Sequence, residues 1–301
     1  MHTADSLLAE LRTVAPGAVA GVGDNVLDCY VHEHVAYPGG NALNVAAYSA
    51  LLFGSRAAYT GIVGNDRFAD HLLGVLDAIG VQTPQVRHAV GANGMAFVAL
   101  DGDGDRRFVG SNHGGVQHRL RLRLTEHDLD QLGGFGSVHT SAYSSIDDAL
   151  PQLSERTNVS FDFSTERDPD RIARIAPSLS VGFFSGEGLS SGEVDALGAF
   201  AIGAGCSSAV VTLGSRGARA FEGADATSVA IRPVEAVDTL GAGDAFITGY
   251  LAARDAGADL AQRLQTASAS GAVACLYRGA FGYAVDAGED ALAQMSRVYE
   301  T

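Results

Sequence analysis

The stretch SAVVTLGSRG, residues 208–217, decides the architecture. Its apolar run is too short for a helix and stops at Thr212 and Gly214. A brief apolar run closed by turn residues reads as a buried strand. The same layout recurs upstream in SVHTSAY (137–143), VSFDFS (159–164) and SVGFFS (180–185), each ending among Ser, Thr, Asp or Gly. Helical stretches lie between and after them, including DAFITGYLAARDAG (244–257) and DLAQRLQTASASGAVACLY (259–277). Repeated strand–helix alternation implies an α/β fold, a mostly parallel central sheet with helices on both faces. Ligands of such sheets sit at the carboxyl ends of the strands.

The N-terminal part fits this scheme. GAVAGVGDN (17–25) reads as a buried first strand with Asp24 and Asn25 at its carboxyl end. NALNVAAYSALLFG (41–54) is a helix stopped by Gly54, RAAYTGIVG (56–64) a strand, and RFADHLLGVLDAIG (67–80) a helix. Two polar, alternating regions interrupt the pattern at 28–37 and 86–110. They are expected to pair into a small, half-exposed β lid, with DGDGD (101–105) as a hairpin tip. The expected division is a core of 1–27, 38–85 and 111–301 and a lid of 28–37 and 86–110. HRLRLRL (118–124) reads as a strand with one solvated, charged face.

Composition removes several function classes. The 301 residues carry 35 acids against 20 bases, a net charge of −15. That balance argues against nucleic-acid or anionic-membrane partners, which need clustered cations. Every base is arginine. Without lysine there is no Walker-type phosphate lysine and no Schiff base, so any phosphate must be held by backbone N–H groups, arginine or metal. Cys29, Cys206 and Cys275 are too few and too widely spaced for a zinc site or a disulfide framework, which suits a reducing cytoplasm. The N-terminus has acids where a signal peptide needs bases, and no stretch approaches the ~20 apolar residues of a membrane span. The nine histidines show no metal-binding spacing; His32, His34 and His113 read as exposed residues of the polar strands.

VDTLGAGDAF (237–246) is the first candidate for chemistry. A helix start carries free N–H groups and partial positive charge, and Gly241, Ala242 and Gly243 let an anion approach them. Asp244 beside that site would repel phosphate, but suits a base that takes a proton from an attacking hydroxyl. YPGGNALNVA (37–46) has a similar layout, with Gly40, Asn41 and Asn44 suited to sugar hydroxyls, and Asp24 could accept two hydroxyls of a polyol. VVTLGSRG (210–217) is a strand end and turn of the kind that seats a nucleotide. Each of these alone also reads as a capped helix or a simple turn. GVGDNV (21–26) lacks the third glycine of a dinucleotide fingerprint, which counts against NAD.

Together the three motifs resemble the ribokinase/PfkB family of carbohydrate kinases over nearly the whole chain. GGNALNVA is similar to its N-terminal signature, DTLGAGDAF to its C-terminal signature, and VTLGSRG to its nucleotide turn. GDNVLDCY, YPGGNALNVAAY, GDGDRRF and SFDFS look like the members that act on fructoselysine. The resemblance implies a ribokinase-like fold and transfer of the ATP γ-phosphoryl group to a primary hydroxyl of a sugar or sugar-amine, with fructoselysine favoured. Another sugar or nucleoside kinase, or a non-catalytic sensor, is the alternative. It further implies Asp244 as base and the N–H groups of Gly241, Ala242 and Gly243 as anion hole. Asp24, Gly40, Asn41 and Asn44 would hold the sugar, with Arg106 reaching the substrate. Thr212, Gly214 and Gly217 would lie along ATP. Asp238 would help hold a monovalent cation such as K⁺, and Glu187 would serve Mg²⁺. Phe184 stands where the family often has the Asn of an Asn-x-x-Glu metal motif. Dimerisation through the lid is a further expectation.

Overall fold

Val19–Gly23, buried at every position, pairs in parallel with Ala57–Val63 on one side and Ser137–Ser141 on the other. The structure is a computed structural model that describes residues 3–100 and 106–299. The parallel order continues through Asn158–Asp162, Val181–Ser185 and Ser208–Thr212. The antiparallel strands Ala218–Glu222 and Asp225–Val229 close that edge. Val81–Gln82 and Arg87–His88 pair with Ala57–Val63 at the other.

Both faces are covered, which is why the strands read as apolar runs without alternation. On one face Val45, Phe246, Tyr250 and Leu264 pack against Val19, Phe183 and Val210. On the other, Leu129, Leu150, Ile172 and Val194 pack with Val22, Val138 and Val211. Successive residues Val210 and Val211 therefore enter opposite layers, as the two-residue period of a strand requires. Parallel strands bring their carboxyl ends to one edge. Asp24, Ser141, Asp162, Ser185 and Thr212 gather there.

A second sheet runs in the order Val285–Asp286, Val35–Gly39, Val26–Tyr30, Met95–Leu100, Arg106–Ser111. Here the structure departs from the sequence reading. Residues 28–37 belong to two antiparallel strands, Val26–Tyr30 and Val35–Gly39, joined by a turn in which His34 has φ 55°. These strands are buried rather than half-exposed. Leu27, Cys29 and Ala36 share a core with Phe97, Ala280, Phe281, Ala287 and Ala291. The last stretch of the chain thus covers a face that local polarity had assigned to solvent. The DGDGD tip lies outside the described residues.

HRLRLRL is not a strand. Val116–Arg119 is one helical turn, and residues 120–125 form no regular structure. Leu122 is buried while Arg121 and Arg123 are exposed, so the alternation reflects an extended segment lying on the core. Among the described residues no helix is long and apolar enough to cross a membrane.

Candidate active site

Two helix starts meet above the strand ends. The helix Asn41–Phe53 begins at Gly40, whose φ is 104°. A Cβ there would lie 2.5 Å from the Asn25 Cα, so glycine is needed to bring the helix start against the first strand. Gly40 has no side chain to cap the helix. Asp24 supplies the cap from 17 residues upstream: its carboxylate accepts from the Asn41 N–H at 2.6 Å and the Ala42 N–H at 3.4 Å. The helix dipole favours a negative charge at this point. The hydroxyls of Ser141 and Ser144 also donate to Asp24, at 2.7 and 2.9 Å.

The helix Ala242–Asp255 begins at Gly241, with φ 73°. A Cβ at Gly241 would meet the Tyr48 hydroxyl at 2.6 Å and the Ala280 Cβ at 2.7 Å. The Tyr48 hydroxyl itself donates to the Ala280 carbonyl. Among the described residues nothing beyond its chain neighbours and its own helix backbone lies within 4 Å of the Cβ position of Gly243. Gly241 is therefore required by packing, and Gly243 keeps the helix mouth open. The Ala242 N–H donates to the Thr239 carbonyl at 3.3 Å, so of the three proposed anion-hole donors it is already engaged.

Asp244 lies in the first turn of this helix and faces the other helix start. Its two oxygens accept from Asn41 Nδ2 at 2.8 Å and Asn44 Nδ2 at 2.6 Å. Burial is the largest influence on its carboxyl group and pushes its pKa up to about 7. The nearby charges of Asp162 and Asp24 act in the same direction, and the two asparagine donors oppose them. Its titration thus falls near neutrality, as a general base requires. Asn44 is buried, and its Oδ1 has no hydrogen-bond partner among the described residues.

Two residues of this cluster escaped the sequence reading. Asp162, at the end of its strand, accepts the second Asn41 Nδ2 hydrogen at 2.9 Å and the Ser164 N–H at 2.8 Å. Burial, with the charge of Asp24, pushes its pKa up to about 6. His139 is fully buried and places Nε2 2.8 Å from Asn41 Oδ1. Burial lowers its pKa to about 3, so the ring is neutral. The available signal was an aspartate closing the strand Asn158–Asp162 and a histidine in the middle of the strand Ser137–Ser141. His32, His34 and His113 are exposed, in turns or irregular segments rather than in strands.

The expected nucleotide side is more dispersed. Thr212 Oγ1 donates to the Phe184 carbonyl at 3.3 Å. Gly214 has φ 57° and open space at its Cβ position. Gly217 is needed for packing, since a Cβ would fall 1.9 Å from the Val229 carbonyl oxygen. Phe184 points into the core and stacks on Phe163, with centroids 4.5 Å apart. This explains the missing asparagine: the position faces the hydrophobic layer, away from the strand-end cleft. Glu187 is exposed on the following loop. Its carboxylate suits a cation held through water, and no group of three or more His, Cys, Asp or Glu residues forms a metal cage among the described residues. Asp238 is buried and accepts from the Tyr30 hydroxyl at 2.5 Å, the Leu240 N–H at 2.9 Å and the Gly279 N–H at 3.0 Å. It ties the loop before Gly241 to the second sheet. The Arg106 side chain lies outside the described residues.

The model of the pfkB family of carbohydrate kinases matches residues 15–158 and 186–284. The chain is 45% identical over 262 residues to fructosamine kinase FrlD of Bacillus subtilis, covering 87% of this chain and 92% of that protein. It is 33% identical over 265 residues to fructoselysine 6-kinase of Escherichia coli, covering 87% and 99% respectively. Among solved structures, Arabidopsis thaliana ribokinase complexed with ribose and ATP superposes with a TM-score of 0.73 at 20% identity, over 93% of this chain and 99% of that one. A putative ribokinase II from E. coli in complex with ATP and Mg²⁺ gives 0.72 at 21% identity, over 94% and 100%. These likenesses show the fold.

Proposed function

The chain belongs to the pfkB family of carbohydrate kinases and is an ATP-dependent sugar kinase; we propose that its acceptor is the primary hydroxyl of a fructosamine, with fructoselysine converted to fructoselysine 6-phosphate. The observation that carries the phosphoryl-transfer reading of the site is the clasp of Asn41 and Asn44 on Asp244 at the mouth of the Gly241 helix. The 45% identity to a fructosamine kinase over 87% of the chain supports the substrate class. The charge of the cleft supports it too. Asp162 is a carboxylate beyond the base and Asp24, and surplus negative charge suits a substrate bearing a cationic amine.

In this reading the sugar lies between the two helix starts. Ionised Asp244 takes the proton of the primary hydroxyl as its oxygen attacks the γ-phosphorus. The bond from that phosphorus to the β–γ bridging oxygen breaks, and ADP leaves. The helix-start N–H groups beside Gly243 stabilise the transferring phosphoryl group. Asp24 and Asn44 orient the sugar hydroxyls, and Asn41 holds Asp244 in place. Thr212 and Gly214 flank the nucleotide. Mg²⁺, held with Glu187, would neutralise phosphate charge. A monovalent cation near Asp238 and pairing of two copies through the second sheet belong to the same proposal. Activity with and without K⁺, and light scattering, test them.

Asp244→Asn should fold, bind ATP and lose phosphoryl transfer by about a thousandfold or more. Near-normal turnover would remove the base assignment. ADP release across fructoselysine, other fructosamines, fructose, ribose and adenosine tests the acceptor. A higher kcat/KM for a plain sugar would reverse the substrate reading.

A further inference from the structure

We infer that His139 is a positioning residue for phosphoryl transfer: by donating Nε2–H to Asn41 Oδ1, it locks the Asn41 amide with both hydrogens on carboxylates, one of them the base Asp244. The inference rests on the reading of Asp244 as base and adds a residue that no sequence motif singled out.

The hydrogen count leads to one arrangement. Asn41 Nδ2 lies 2.9 Å from Asp162 Oδ2 and 2.8 Å from Asp244 Oδ1. Both contacts require an N–H donor, so the amide nitrogen must face the carboxylates and Oδ1 must face away. Oδ1 lies 2.8 Å from His139 Nε2, and only a protonated Nε2 can serve it. His139 Nδ1 lies 2.9 Å from Ser160 Oγ. A neutral ring with its proton on Nε2 must accept there, so the single Ser160 hydroxyl hydrogen goes to Nδ1 at 2.9 Å in preference to the Val138 carbonyl at 3.3 Å. Ser160, His139, Asn41 and the two carboxylates thus form one directed chain of donors. The ring is completely buried and packs edge-on against Phe183, with centroids 6.3 Å apart.

Loss of the His139 donor would leave the buried Asn41 carbonyl unpaired. The amide is then free to turn its oxygen toward Asp162 or Asp244. A carboxylate that loses an N–H and gains a carbonyl dipole is harder to ionise. The titratable groups bearing on Asp244 are Asp162 and Asp24 across the strand ends and Tyr48 on the facing helix. None of the three is itself substituted in the His139 variants, and Asp162 shares the Asn41 amide, so a shift in the base's titration reports the amide acting directly and through Asp162.

The tests are His139→Phe, which keeps a ring but no donor, and His139→Gln, which can return an N–H to the same place. Phe should lower kcat about tenfold, the rate equivalent of one lost charged hydrogen bond. It should also move the acid limb of the kcat/KM profile to higher pH while leaving the KM for ATP within about twofold. Gln should restore most of both. Asn41→Ala combined with His139→Phe should be no slower than Asn41→Ala alone. Nitrogen-15 NMR of the unmutated enzyme should show a neutral imidazole, with Nε2 protonated and Nδ1 bare, down to about pH 5. An Nδ1–H tautomer, an unmoved limb in His139→Phe, or equal losses in Phe and Gln would overturn the inference. The NMR result decides it even if the Phe variant fails to fold. An inactive Asp244→Asn alongside an unmoved limb in His139→Phe defeats the His139 role alone; an active Asp244→Asn defeats the base reading and the role together.

Discussion

Replacing Asp162 with asparagine should lower the pH at which the enzyme becomes active. Asp162 and Asp244 grip the same Asn41 nitrogen at 2.9 and 2.8 Å, so their nearest oxygens are within about 6 Å of each other. Two unit charges at that distance repel by about 3 kcal/mol at an effective dielectric of 20, and by about half that where the cleft is wet. Removing one charge should therefore lower the Asp244 pKa by about one to two units. The starting point is about 7, with burial as the larger cause and the charge of Asp162 adding to it. The base must be ionised to act, so rate rises as pH increases through its pKa. The acid limb should move from near 7 toward 6 in Asp162→Asn. The assay is kcat/KM between pH 5 and 9 with ATP saturating. Titration of the acceptor is common to both enzymes and cancels in the comparison. The variant also loses one acceptor, since Asp162 serves both Asn41 and Ser164. That lowers stability by about 1 kcal/mol but cannot shift a titration downward. A limb that stays in place or moves upward would refute the proposed coupling.

Gly241→Ala should lose several kcal/mol of stability, because its φ of 73° disfavours a side chain and the new Cβ would meet Ala280 at 2.7 Å; thermal unfolding measures this, and a wild-type melting point would refute the packing role. Gly243→Ala meets open space, so it should fold normally and instead raise the KM for ATP or lower kcat. Phe184→Asn, which recreates the missing motif residue, should cost about 3 kcal/mol by removing the ring stacked on Phe163, without raising kcat; higher activity at low Mg²⁺ would show that the side chain reaches the cleft.

Much of the fold was legible because burial on both faces writes itself locally. The strands ending at Asp162, Ser185 and Thr212 are short, largely apolar runs closed by polar residues, and helix stops such as Gly54 are visible one residue at a time. The second sheet was misjudged for the same reason. Residues 28–37 are locally polar, and what buries them is the stretch near Ala280, Phe281 and Ala291, about 250 residues away. The sequence reading of Gly217 and Thr212 as nucleotide residues said nothing of what packs around them. In the structure the glycine makes room for the Val229 carbonyl and the threonine hydroxyl is held by Phe184.

By itself, the order of residues determined most elements of the central sheet and its helices, and that phosphate must be met by backbone amides, arginine or metal in a chain without lysine. It also placed Gly241 and Asp244 at a helix start, since glycine spacing and an acid in the first turn are local features. Only the tertiary structure decided what surrounds that acid. Asn41 joins His139, Asp162 and Asp244, which lie 98, 121 and 203 residues further along the chain. Such contacts leave no periodic trace, because packing of strands and helices sets them. The desolvation that pushes Asp244 toward neutrality exists only once those elements close around it.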